Sequence, residues 1–65
     1  MDHDEAVRLA VKTLESQGGR PRRDAVEALV LALEQGQAPK TYGERFVQMA
    51  LQHAGYLASG QETDQ

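Results

Sequence analysis

Apolar residues recur every three or four positions in three separate segments of the chain, which is the period of an amphipathic α-helix. The spacing predicts helices over residues 3–17, 22–35 and 41–58, followed by a disordered polar tail over residues 59–65. Each segment opens on a residue that can cap a helix and that stands three positions before a glutamate. These predicted caps are Asp2, Asp24 and Thr41.

The predicted helix ends carry glycine, which caps the carboxyl end of a helix in the left-handed conformation. Gly18 and Gly19 follow the first segment and Gly36 follows the second, with Pro21 and Pro39 shortly after them. The sequence therefore predicts an all-α fold, a small three-helix domain over residues 1–58 with short Gly/Pro turns. Short connections favour neighbouring helices that pack roughly antiparallel.

The three helices differ in how much apolar surface they carry. The first has a narrow stripe, with Leu9 among polar residues, whereas the second is apolar nearly all round and holds Leu31 on its far side. In the third helix we expect one line of residues to face the core: Tyr42, Phe46, Met49, Ala50, His53 and Leu57.

Helices 2 and 3 carry more apolar surface than the narrow first helix can cover. Exposed apolar surface of that extent usually marks an association site. A two-fold pairing would cover it with a second copy of the same patch. The sequence therefore predicts a dimeric helical bundle whose interface comprises Val30, Leu31, Val47, Leu51 and Ala54.

Composition limits the classes of function open to the chain. It has 65 residues, no cysteine and a net charge of −3, so it offers no disulfide, no thiolate metal ligand and no general attraction to nucleic acid. No apolar run approaches the ~20 residues that cross a bilayer. The acidic start at Met1 does not resemble a secretory signal, and we expect a cytoplasmic protein.

Three arginines around Pro21 form the main charged cluster. Arg20, Arg22 and Arg23 stand where the second helix begins, and cations beside a helix N-terminus can attract an anion. One interpretation makes them a contact for phosphate or for an acidic protein surface, with Leu9 as a further partner contact. The alternative is a solvated loop whose charge Asp24 and Glu27 compensate.

A DNA-binding helix-turn-helix is the main alternative function. Helix 3 could then present Lys40, Thr41, Arg45 and Gln48 to a groove. In an antiparallel hairpin, however, Lys40 and the arginine cluster would lie at opposite ends, leaving no continuous basic stripe.

The stretch from Ala6 through Gly18, Gly19, Arg20 and Pro21 to Ala25, Val26 and Leu29 resembles the opening of KfrA-type plasmid DNA-binding proteins. The resemblance implies DNA binding. It covers under half of the chain and ends after Leu29, so it assigns no role to individual residues.

Neither histidine predicts a metal site or a cofactor. His53 stands on the apolar line of the third helix, and His3 stands among acids that could hold a divalent cation only loosely. No serine or threonine has a histidine at helical spacing, and no glycine pair forms a phosphate-binding loop. We therefore expect no enzyme.

These observations favour a small helical regulator or adaptor, of the inhibitor or anti-activator type, that binds another protein and itself. A DNA-binding transcriptional regulator is the alternative, and a structural assembly subunit is a third possibility.

Overall fold

A computed structural model describes residues 1–58 of the chain. Helices occupy most of these residues. Helix α1 spans His3–Ser16, α2 spans Arg23–Glu34 and α3 spans Tyr42–His53. Because residues 1–58 contain no strand, the all-α prediction is confirmed for them. The predicted tail, residues 59–65, lies outside the described residues.

Two of the three predicted caps are present. Asp2 accepts from the amide of Glu5, whose side chain accepts from the amide of Asp2, and Thr41 accepts from the amide of Glu44. The prediction is wrong for Asp24, which lies inside the first turn of α2 and accepts from the amide of Ala25. Arg22 holds the cap position, and no side chain caps α2 because an arginine has no acceptor.

All three helices end in the same way. Gly18, Gly36 and Gly55 follow the ends of α1, α2 and α3 with φ of 87°, 86° and 84°, a conformation that costs glycine little. After α3, the amide of Tyr56 donates to Leu51 O at 2.9 Å and that of Gly55 to Gln52 O at 3.0 Å, which is a Schellman motif. The predicted end at residue 58 is therefore five residues too late.

Helix α1 is the centre of the domain. It packs against both α2 and α3, which contact each other much less. The core is made of small and medium aliphatic side chains, each 6% exposed or less: Ala6, Val7 and Ala10 from α1, Val26, Val30 and Leu33 from α2, and Val47 and Leu51 from α3. The narrow stripe of α1 therefore serves both neighbours.

The connection between α2 and α3 does not make a hairpin. Arg22 at the start of α2 and Thr41 at the start of α3 line one hollow, whereas Glu34 at the end of α2 meets Tyr56 beyond the end of α3. Residues 35–41 can extend to about 23 Å, enough to return along the roughly 18 Å of a 12-residue helix. Helix α3 therefore starts at the same end of the domain as α2, and the antiparallel prediction is wrong for this pair.

Within residues 1–58, no helix combines the length and the apolar character that crossing a membrane requires.

Candidate interaction surface

The inner face of α3, which we define as Gly43, Val47 and Leu51, packs on α1. A Cβ placed on Gly43 would lie 3.1 Å from Cδ2 of Leu14, so the glycine permits a close approach of the two helices. Val47 and Leu51 follow at intervals of four residues and are fully buried. The buried residues of α1 are Ala6, Val7 and Ala10, small side chains that suit a tight contact.

The outer face of α3, which we define as Tyr42, Arg45, Phe46, Met49 and His53, points away from the core, and all five residues are exposed. Tyr42 is 81% exposed, Phe46 46% and Met49 53%. At spacings of four and three residues these apolar side chains form one line along the helix. The prediction that the line faces the core is wrong for these apolar residues and for His53, whereas Leu57, also predicted there, packs against the core.

A shallow hollow of about 300 Å³ lies at the amino end of the outer face, lined by Pro39, Lys40, Thr41, Tyr42 and Arg45. Two cations therefore stand beside the aromatic ring that begins the apolar line. The only acid in α3, Glu44, does not line this hollow, and its Oε1 accepts from the backbone amide of Lys40 at 2.7 Å.

The predicted dimer interface is not an exposed patch. Val30, Val47 and Leu51 are fully buried within one chain, because α1 covers both helices on those sides. Leu31 is 46% exposed and Ala54 is also exposed. Two of the five predicted residues therefore remain available to a partner.

The structure divides the arginine cluster. Arg23 bridges two helices, because it forms an ion pair with Asp4 of α1 and another, at 3.5 Å, with Glu27. Arg22 lies 3.6 Å from Asp24, and Arg20 is exposed. Leu9, the remaining predicted partner contact, is half-buried and packs on the core, so it offers little free surface.

A second polar cluster, made of His3, Glu34 and Tyr56, lies where α1 begins and where α2 and α3 end. Nδ1 of His3 lies 3.1 Å from Oε2 of Glu34, to which the hydroxyl of Tyr56 also donates. The hydrogen bond from Tyr56 and then that from His3 lower the pKa of Glu34 below its ordinary value. The same bond to Glu34 raises the pKa of Tyr56. Because the cluster ties α1, α2 and the chain after α3 together, we interpret it as a structural contact.

His3 and His53 are not brought together. His3 binds Glu34, and His53 lies on the outer face. Within residues 1–58, no three histidine, aspartate or glutamate side chains converge as metal ligands would.

No protein-family model matches the chain, and no curated protein or solved structure matches it either.

The outer face was assigned to the core by its hydrophobicity, although the sequence contains a contrary signal. Gly43 stands four and eight residues before Val47 and Leu51. A glycine inside a helical pattern often marks a close approach of two backbones. The line that Gly43 begins, with Val47 and Leu51, therefore identifies the packed face of α3. The line of Tyr42, Phe46 and Met49 is then left on the outside.

Proposed function

We propose that the protein is a small non-enzymatic regulator or adaptor that binds another protein through the outer face of α3. One observation carries the proposal. Tyr42, Phe46 and Met49 form a line of exposed apolar side chains on a helix whose opposite face already closes the core. Neither helix stability nor core packing requires large apolar residues on that side.

The residue types support a protein partner. Aromatic residues and methionine are enriched at protein interfaces, and methionine adapts to irregular surfaces. Anchors at intervals of four and three residues are how a helix engages a groove or another helix. Burying such a side chain completely stabilises a complex by about 1.5–3 kcal/mol, and the already half-covered Phe46 contributes less.

Two matched variants test this proposal by capture from the native cell. Phe46→Ser with Met49→Ser removes most of the apolar line, whereas Leu31→Ser removes an equally exposed side chain from α2. We expect the wild type and Leu31→Ser to retain one and the same protein, and the double variant to lose it. Equal capture by all three proteins would contradict a binding role for the outer face.

A homodimer remains part of the proposal, although it needs a surface other than the predicted one. Apart from Met1, the large apolar residues that are exposed within residues 1–58 lie on α3 and at Leu31 of α2, and these are the available contacts. Sedimentation equilibrium tests it, since one chain has a mass of 7.1 kDa. A dimer that Phe46→Glu dissociates would use the outer face, one that Leu31→Glu dissociates would use α2, and a mass of one chain at high concentration would exclude both.

A DNA-binding regulator is the second candidate, and one observation favours it. Because α3 starts beside the start of α2, Arg22, Lys40 and Arg45 lie at the same end of the domain, so Lys40 is not separated from Arg22 as it would be in an antiparallel hairpin. The net charge of −3 opposes it. Sub-micromolar binding to random duplex DNA that weakens steeply with salt, and is lost in Lys40→Gln with Arg45→Gln, would favour this candidate.

A further inference from the structure

We infer that the partner docks on the outer face of α3 as an amphipathic helix that carries carboxylates at the end lying beside Lys40 and Arg45. This inference rests on the proposed function and specifies the chemistry of the partner. It follows from the shape of the apolar line and from the charges around it.

The apolar line fits another helix. Tyr42 and Met49 stand seven positions apart, or about 10 Å along the helix, with Phe46 between them on the convex outer side of α3. A second helix with apolar residues at the same spacing can pack its ridges against this line. A convex single line gives a short contact, so the polar groups at its edge contribute strongly to choosing and orienting the partner.

The hollow at the edge of the line is lined by two cations and by no acid. Among the ion pairs formed within residues 1–58, none involves Lys40 or Arg45. Glu44 is turned toward the amide of Lys40. A guanidinium can bind a carboxylate through two parallel hydrogen bonds, and a carboxylate in the hollow beside Tyr42 would lie near both cations.

Most acids elsewhere in the described chain are engaged. Asp2 and Glu5 form the cap of α1, Asp4 pairs with Arg23 and Glu34 binds Tyr56. Residues 1–58 of a second copy would therefore bring few free carboxylates to the basic edge.

The outer face also pairs poorly with itself. A two-fold antiparallel pairing that matches Tyr42 of one chain with Met49 of the other places Arg45 opposite Phe46, only one residue from the second Arg45. The two guanidinium groups would then meet near the middle of the contact, where like charges repel. Duplex DNA offers negative charge but no apolar surface that matches the line, so an acidic helix satisfies both features together.

The test uses the full chain labelled with nitrogen-15 and two synthetic helical peptides. Both peptides carry leucines spaced to match the apolar line. One ends in three glutamates and the other in three lysines. We expect the acidic peptide to shift the amide resonances of residues 42–49 and to bind at least about 5-fold more tightly than the lysine peptide in low salt, a preference that screening reduces in high salt. Arg45→Gln should reduce the preference and Lys40→Gln with Arg45→Gln should abolish it, with the fold verified from the dispersion of each spectrum.

The remaining outcomes separate this inference from the proposed function. Equal binding of both peptides at the outer face would overturn the acidic partner but leave a protein-binding surface. Shifts confined to other helices, or a lysine peptide that binds better, would also overturn the inference. Concentration-dependent shifts of residues 42–49 without a peptide would identify a second copy as the occupant. Shifts caused by random duplex DNA and by neither peptide would overturn both proposals in favour of DNA binding.

Discussion

The two faces of α3 are both apolar, yet one closes the core and the other meets water. The inner face presents Gly43, Val47 and Leu51, while the outer face presents larger side chains, among them Tyr42 and Phe46. Since Phe46 and Met49 of the outer face are at least as large and apolar as Val47, hydrophobicity alone does not explain the choice. The difference teaches that the shape of α1, with alanines at its centre, selects the face that can approach it most closely.

Truncating a side chain of the inner face should cause the largest loss of stability. Leu51→Ala removes a fully buried side chain and should lower the free energy of unfolding by about 2–5 kcal/mol. For a small domain this is a large share of the total stability. Urea unfolding followed by circular dichroism measures it. A smaller loss of stability for Leu51→Ala than for Met49→Ala would mean that the outer face, and not the inner face, packs on the core.

Enlarging the inner face should have the next largest effect. Gly43→Leu forces a side chain into Cδ2 of Leu14, which a Cβ alone would approach to 3.1 Å, and should cost about 1–3 kcal/mol. Ala28→Leu introduces the same side chain at an exposed position of α2 and serves as the control. Equal stability of the two variants in thermal unfolding would show that Gly43 does not set the distance between α1 and α3.

The pH dependence of stability should come from the end of the domain that holds His3, Glu34 and Tyr56. Because its hydrogen bonds lower the pKa of Glu34, the folded state gains stability above the ordinary pKa of 4.5, and the gain is lost as the pH falls through the lowered pKa. The pKa of Tyr56 is raised above 10.0, so its contribution is present below that pH and is lost as the pH rises through the raised pKa.

Glu34→Gln isolates the acid part of that dependence. We expect the variant to be less stable than the wild type at neutral pH and to approach it as the pH falls below about 4.5. Glu15→Gln, at an exposed position of α1, serves as the control. A stability difference for Glu34→Gln that stays constant from neutral to acid pH would contradict a role for its charge.

Truncating the outer face should have the smallest effect on folding. Phe46→Ala removes a side chain that is 46% exposed, and the gain in helix propensity offsets part of the loss. We expect a change below about 1 kcal/mol in urea unfolding, even though the same variant should impair partner binding. A loss equal to that of Leu51→Ala would show that Phe46 belongs to the core.

The sequence predicts the elements of this fold better than their arrangement. Local signals such as the Asp2–Glu5 capping box act within a few residues, so the helix starts and the glycine ends are readable, although Gly55 was overlooked. Which face of α3 packs on α1 depends on how well the surfaces of the two helices fit each other. The helices are distant in sequence, so apolar periodicity does not encode this fit. The same holds for the candidate surface, because the apolar pattern predicts Tyr42, Phe46 and Met49 in the core.

The direction of α3 illustrates a second limit. Residues 35–41 are few enough to suggest a hairpin, yet they are long enough when extended to return along α2. Loop length alone therefore leaves both arrangements open. The direction of α3 decides whether Lys40 lies beside Arg22 or far from it. It therefore determines whether the two cations form one basic end of the domain.

A single tryptophan at position 49 tests most directly whether the outer face is free. The chain has no tryptophan of its own, so the fluorescence of Met49→Trp reports one site in the middle of the outer face. At low protein concentration the account predicts emission close to that of the urea-unfolded variant and ready quenching by acrylamide. Blue-shifted emission that is protected from acrylamide, and that persists on dilution, would place this face in the core and contradict the account.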